Sequence, residues 1–386
     1  MRILFVVPPL TGHVNPTVSV AHVLQTRGHR VAWVAHPRAV APLLPSDATI
    51  FPLDDEVPDA LLQATQANAN KVRGLQAFRF LWEDFLLPLA RASVAGVQAA
   101  INTYEPHVVV VDQQALAGAI VCRKQGIPWA MFATTSAGVT DPLAGLPRVR
   151  EWLDAQLDLL QREQGLDPVK NPDRSPLCNV VFSSEALVGD EANSLPDTMH
   201  FVGPAAQRRP SQDTPFPWEL LQDGPRVLVS LGTVNPDRGS RFYATAVEAV
   251  RDKPVQIIMV APEGMINDPP SNVLVRSYVP QLALLPHMDA VVCHAGHNTV
   301  CESLLNGLPL VLTPIKDDQP VVAQQVVDAG AGLRLRFGRL RPADLWEAID
   351  QVLHTSTFRE AAKRLQDSFQ QAGGSEKAVA LLEGLL

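Results

Sequence analysis

His13 and His294 each stand just past a short apolar run, where an imidazole is well placed to meet a substrate. The run at residues 3–7 is closed by Pro8-Pro9, and Leu10-Thr11-Gly12-His13-Val14-Asn15-Pro16 follows. Val18, Ala21 and Leu24 then mark one helical face up to a stop at Gly28. This spacing predicts a helix with Asn15 as N-cap and Pro16 at its first position, so His13 is expected in the first strand-to-helix loop. In open α/β sheets ligands bind at the carboxyl ends of the strands, and Gly12 permits close backbone approach there. The plainer alternative is a histidine that bonds only its own loop. Asp112 ends the run Val108-Val109-Val110-Val111 in the same half. A carboxylate at that sheet edge would fix the tautomer of a histidine base and stabilise its imidazolium. Equally, Asp112 could cap a helix over 113–124.

The second site is a strand, a small-residue turn and a helix start. After the run at 290–293 comes His294-Ala295-Gly296-His297-Asn298-Thr299-Val300-Cys301-Glu302, and the helix ends at Asn306-Gly307, a good terminating glycine. Backbone N–H groups at such a start, with the positive end of the helix dipole, attract an anion. Asn298 and Thr299 add side-chain donors, so the pattern predicts a phosphate site without a metal. Glu302 falls one helical turn beyond Thr299, where a carboxylate can accept hydrogen bonds from sugar hydroxyls.

Two α/β halves must carry these sites. Short Val/Ile-rich runs alternate with longer amphipathic stretches, the pattern of βαβ units with a parallel sheet buried on both faces. Strands are expected at 3–7, 31–34, 108–111, 129–132 and 179–182. A second series is expected at 226–230, 256–260, 273–276, 290–293, 310–313 and 333–335, with a helix at 241–250. At 386 residues the chain exceeds what one hydrophobic core serves. The expected domains are 1–205 and 223–356, joined by a linker at 206–222 within the Pro-rich stretch 203–222. A C-terminal helical segment, 357–386, is expected to pack back on the first domain. The stretch 78–89, FRFLWEDFLLPL, reads either as the wall of an apolar pocket or as an amphipathic core helix.

The 32 Lys and Arg against 40 Asp and Glu leave −8, which counts against nucleic acid as a partner. The four cysteines form no Cys-x-x-Cys pair, so neither a zinc knuckle nor a disulfide framework is expected. No 18 apolar residues are continuous and the first run is too short for a signal segment, so no integral membrane segment and a cytoplasmic location are expected. Neither a Gly-x-Gly-x-x-Gly after the first strand nor a P-loop occurs, against nicotinamide, flavin and P-loop chemistry. No Asp-x-Asp triplet is present, and a metal site is not expected.

Reading outward from His294, Tyr278-Val279-Pro280-Gln281, Leu285-Pro286-His287, the stretch from His294 to Glu302, Pro314 and Asp318-Gln319 resemble the nucleotide-sugar signature of family 1 glycosyltransferases. The block from Thr11 to Pro16, and that from Val111-Asp112 to Gly126-Ile127-Pro128, are similar to the same family. The resemblance implies the glycosyltransferase B fold, two facing Rossmann-like domains with the acceptor on the first and the donor on the second. By that resemblance Tyr278 stacks on the donor base, Val279 and Gln281 contact base and ribose, and Glu302 holds the ribose hydroxyls. His294, Gly296, Asn298 and Thr299 hold the diphosphate, and Asp318 and Gln319 bond the transferred sugar. Ser230, Gly232 and Thr233 lie in the loop that approaches the phosphates. His13 is the general base and Asp112 its partner.

Tyr278 and His297 stand where plant members carry Trp, and the signature spans 42 positions from Tyr278 to Gln319, as in bacterial-type members. The implied function is metal-independent, inverting transfer of a hexose, foremost glucose, from a UDP-sugar, with a dTDP-sugar as the alternative and no tightly bound cofactor. The acceptor would be a hydroxylated polyketide, macrolide, phenolic or carotenoid-like molecule, as in antibiotic biosynthesis. The competing functions are a nucleotide-sugar epimerase or hydrolase, and a non-catalytic nucleotide-sugar-binding helper.

Overall fold

The computed structural model describes residues 1–54, 75–140, 143–205, 215–232 and 239–385. Thr233 and most of the predicted linker lie outside the described residues. The chain divides into two units. The first comprises Met1–Phe182, Asn193–Pro210 and Ala372–Leu386, and the second Ser183–Ala192 and Ser211–Gln371. Of the predicted segment 357–386 only the part from Ala372 onward belongs to the first unit, and 183–192, predicted within the first domain, belongs to the second.

The first unit holds a parallel sheet of β1 (Arg2–Val6), β2 (Arg30–Ala35), β3 (Thr49–Pro52), β4 (Val108–Asp112), β5 (Trp129–Ala133), β6 (Cys178–Val181) and β7 (Met199–Phe201). Their order is β3-β2-β1-β4-β5-β6-β7. Both faces are covered, which is why the central strands are apolar at every position rather than at every second one. Leu4, Val6, Val109 and Val111 enter one core, and Ile3, Phe5, Val108 and Val110 the other. On the first face α2 (Leu87–Tyr104) and α3 (Leu116–Gln125) pack closely, and Gly118 of α3 lies so near Val111 that a β-carbon would sit 2.8 Å from its Cγ1. On the second face lies α1 (Thr11–Thr26), joined by α10 (Gly374–Glu383), which buries Ala378, Val379 and Leu382 in the same core. Glu383 there accepts from Arg27 at 2.8 Å and pairs with His29 Nε2 at 2.8 Å.

The second unit repeats the scheme with β8 (Arg226–Ser230), β9 (Gln256–Val260), β10 (Val273–Arg276), β11 (Ala290–Cys293), β12 (Leu310–Leu312) and β13 (Gly332–Arg334), all parallel in the order β10-β9-β8-β11-β12-β13. Its helices include α5 (Gly239–Val250), α6 (His297–Leu305), α7 (Gln319–Asp328), α8 (Pro342–His354) and α9 (Ser356–Ala372), while α4 (Pro147–Glu163) belongs to the first unit. Each sheet has one topological switch point, where neighbouring strands send their connections in opposite directions: between β1 and β4, and between β8 and β11.

The predicted strands at 226–230, 256–260, 273–276 and 290–293 coincide with β8 to β11. The edge strands β3 and β7 were not predicted. One is four residues ending in Pro52 and the other three residues, so neither has the buried apolar run of a central strand. The stretch 78–89 lies in a helical run, Leu75–Tyr104, long and apolar enough to cross a membrane by length and composition, with 56% of its most apolar window buried. Within it Phe85, Leu86 and Leu89 are buried with Leu10 against them, while Phe78 and Trp82 pack on the main core. A π-helical turn, Leu81–Leu86, precedes Pro88, and Leu87 N donates five residues back to Trp82 O. Pro88 has no N–H and its ring would press on the carbonyl four residues earlier, which the wider turn relieves.

Candidate active site

His13 is not in a loop. α1 begins at Thr11, five residues earlier than predicted, with Leu10 as the extended N-cap and Pro16 inside the helix. His13 N and Val14 N both donate to Leu10 O, at 2.9 and 3.2 Å. The early start buries Val14 completely, and the carbonyl that Pro16 leaves without a helical donor belongs to exposed Gly12. His13 therefore occupies the first helical turn, directly over the switch point.

Its Nδ1 lies 2.9 Å from both Oδ1 and Oδ2 of Asp112, the last residue of the neighbouring strand β4. The Asp112 side chain has no exposure and that of His13 is 14% exposed, so the pair is shielded on the carboxylate side and open on the imidazole side. Asp112 Oδ1 also accepts from Gln114 N at 2.8 Å. Asp112 thus closes a turn and holds the histidine at once; the following helix, α3, begins only at Leu116 and has Ala115 as its N-cap. An ionised Asp112 makes Nδ1 the protonated nitrogen, which leaves the lone pair on Nε2 for a proton-abstraction step.

Sequence reasoning missed Thr134. Its Oγ1 lies 2.9 Å from His13 Nδ1 and 3.4 Å from Asp112 Oδ2, and the residue is 4% exposed. The available signal was a hydroxyl just past β5, on the strand beside β4. Gln114 was also missed: its Oε1 is buried without a partner and the residue lines a cavity with Leu53, Leu89, Ala90, Ser93 and Leu116.

The second switch point carries the other set. Ser230 ends β8 beside Cys293 of β11, and its Oγ accepts from Gly232 N at 3.2 Å. His294 follows β11, and its imidazole lies against two glycines. A β-carbon on Gly232 would sit 2.7 Å from its Cε1, and one on Gly296 2.4 Å from its Nε2. His294 is buried, its Nδ1 has no hydrogen-bond partner, and burial pushes its pKa down, opposed by the charge of Asp318 and the Ser230 backbone. Ala295, fully buried, takes a left-handed φ of 66°, a conformation that costs a non-glycine residue about 1–2 kcal/mol. That turn delivers the start of α6, where Gly296 is an N-cap without a side-chain cap bond and His297, Asn298 and Thr299 form the first turn. Their amides supply the donors an anion needs.

Glu302, one turn on, is 3% exposed and accepts from Gln281 Nε2 at 2.7 Å, which joins two predicted site residues in one bond. Val279 is core, packed with Leu284 and Val300, while Tyr278 beside it is 45% exposed. Asp318 is the N-cap of α7, and Gln319 Oε1 accepts from Ile315 N and Lys316 N at 2.8 and 3.2 Å. The carbonyl end of that amide is committed to the backbone, so its NH2 end is the one that can reach a hydroxyl. His297 and Cys301 pair within α6, Sγ 3.3 Å from Nε2; burial holds that thiol far above its usual pKa, and the pair packs rather than reacts.

Residues 247–382 match the profile of the erythromycin biosynthesis protein CIII-like C-terminal domain. Over its whole length the chain is 30% identical to 4'-demethylrebeccamycin synthase of Lentzea aerocolonigenes, covering 99% of that protein. It is also 30% identical to demethyllactenocin mycarosyltransferase of Streptomyces fradiae, covering 100% of this chain and 86% of that one. Among solved structures, a spinosyn rhamnosyltransferase complexed with thymidine diphosphate matches with a TM-score of 0.78 and 22% identity, over 99% of this chain and 100% of that one, a likeness of fold.

Proposed function

We propose, from the premise that the chain belongs to the natural-product glycosyltransferases, that it performs an inverting transfer of a hexose with His13 as general base. The activity of the family is sugar transfer from a nucleotide sugar to a small-molecule aglycone. The observation that carries the mechanism is the 2.9 Å pairing of His13 Nδ1 with both oxygens of buried Asp112. In the proposed step an acceptor hydroxyl oxygen attacks the anomeric carbon as the bond to the diphosphate oxygen breaks. The hydroxyl proton passes to His13 Nε2, and the electron pair leaves with the diphosphate. One displacement inverts the anomeric centre and needs no covalent sugar intermediate. A positioned base contributes about 10² to 10⁴-fold, and prearranged donors at the leaving group lower the barrier further.

On the donor side, the amides at the start of α6, Asn298 and Thr299 would hold the diphosphate with the Ser230–Gly232 loop and His294. Tyr278 would stack on the base, Glu302 and Gln281 would bind the ribose, and Asp318 and Gln319 the sugar. UDP-glucose is the first donor to test, with dTDP-sugars as the alternative that the thymidine diphosphate complex of the spinosyn enzyme supports. A lipophilic or aromatic small-molecule acceptor is supported by the natural-product relatives, a 4'-demethylrebeccamycin synthase and a demethyllactenocin mycarosyltransferase. A cytoplasmic location accords with such donors.

The test is mass spectrometry after incubation with UDP-glucose and dTDP-glucose against a panel of macrolide, polyketide, phenolic and carotenoid aglycones. A gain of one hexose that disappears in His13→Gln supports the proposal. Sugar transfer undiminished in His13→Gln refutes the base assignment, and a product with the donor's anomeric configuration refutes inversion.

A further inference from the structure

We infer that Thr134 is a positioning residue that completes the His13–Asp112 pair as a three-residue arrangement, and this inference rests on the reading of His13 as the base. Three adjacent strands send their carboxyl ends to one place: β1 leads into His13, β4 ends in Asp112, and β5 is followed by Thr134. Three oxygens stand 2.9 Å from His13 Nδ1, namely Asp112 Oδ1, Asp112 Oδ2 and Thr134 Oγ1.

Asp112 as a carboxylate donates nothing, so Nδ1 carries the proton and faces all three oxygens as a shared donor. Thr134 Oγ1 presents a lone pair to that N–H, and its own hydrogen points to Asp112 Oδ2 at the longer 3.4 Å. Asp112 Oδ1 is also engaged by Gln114 N. A carboxylate alone allows the imidazole to tilt toward either oxygen. A third oxygen from a separate strand removes that freedom, because tilting away from it lengthens a 2.9 Å contact. Thr134 is buried at the end of a strand, so its hydroxyl is held by the sheet rather than by a mobile loop. Thr134 therefore acts through His13: it fixes the ring plane and so the direction of the Nε2 lone pair.

Two readouts test this. The first needs no substrate: the Nδ1–H proton of His13 in the full-length protein, assigned by its loss in His13→Gln, is observed by 1H–15N NMR. In Thr134→Val its exchange with water is expected to speed up at least several-fold, while Thr134→Ser keeps the wild-type rate. An unchanged resonance and rate in Thr134→Val overturns the inference. The second is kinetic, with the donor and aglycone that give product in the panel above. Thr134→Val is expected to lower kcat about 10- to 100-fold, the range for a hydrogen bond to a charged group, with KM for both substrates unchanged and recovery in Thr134→Ser. A raised donor KM with unchanged kcat overturns the inference, since it would place Thr134 on the sugar. If Thr134→Val does not fold, Thr134→Ala serves in both experiments. The base reading fails separately, on full activity of His13→Gln, whatever Thr134→Val does to the proton.

Discussion

Gly232 and His294 are in such close contact that no side chain fits between them: a β-carbon on the glycine would lie 2.7 Å from Cε1 of the ring. Gly232 also has φ +70°, so it answers two demands at once. Gly296 presses on the same ring but has an ordinary φ of −63°. Gly232→Ala should therefore lose stability through both backbone strain and the clash, whereas Gly296→Ala should lose it through the clash alone. The backbone part is about 1–2 kcal/mol. Thermal unfolding of the two variants, each repeated in a His294→Ala background, separates the contributions: Gly296→Ala should become nearly neutral there, and Gly232→Ala should retain its backbone penalty.

His13→Gln and Asp112→Asn are each expected to lower kcat about 10² to 10⁴-fold, with UDP or dTDP binding unchanged by calorimetry. His13 and Asp112 belong to the first unit, and the residues proposed for the diphosphate to the second. Nucleotide affinity that falls in step with kcat would place His13 on the donor instead.

Glu302→Ala removes a buried carboxylate and leaves the Gln281 amide without its acceptor. Stability should fall by about 1–3 kcal/mol, and nucleotide affinity should fall while kcat at saturating donor changes little. Isothermal titration with UDP alongside thermal unfolding checks both. Affinity equal to wild type would remove Glu302 from the ribose site.

Buried His294 has a depressed pKa, so its linkage runs in one direction. Above the unfolded value of about 6.5 both states are neutral and its contribution is fully present. As pH falls below 6.5 the unfolded chain takes up the proton first, and stability drops until the folded pKa is reached. The slope from this one group cannot exceed about 1.4 kcal/mol per pH unit. In His294→Gln the fall of melting temperature just below pH 6.5 should be shallower than in the wild type.

Gln114 Oε1 is buried without a partner, so Gln114→Leu removes a desolvated acceptor and fills similar space. Its stability should equal or exceed the wild type by up to about 1 kcal/mol, read as an unchanged or raised melting temperature. A melting temperature several degrees lower would mean that the amide is satisfied after all.

Much of this arrangement is legible in the chain because parallel strands leave a strong trace: Val108 to Val111 can only be a strand buried on both faces, and whatever follows it lands on the carboxyl edge. The same logic locates Asp112 and His294. It cannot place Thr134, because which strands are neighbours is a property of the sheet order, and a hydroxyl after Ala133 looks like any strand end until β5 is known to lie beside β4. The start of α1 was misplaced for a different reason. Pro16 is an ordinary first-turn signal, but burial of Val14 favours winding the helix from Thr11, and the loss of one helical bond at exposed Gly12 is the smaller cost. Thr49–Pro52 and Met199–Phe201 escaped because edge strands need no continuous apolar run.

The return of Ala372–Leu386 to the first unit bears on how the enzyme can be recombined. A chimera cut once near the linker would take its last helix from the wrong parent and oppose foreign side chains to Arg27 and His29. An exchange that respects the architecture moves three pieces, keeping 372–386 with the first unit and 183–192 with the second.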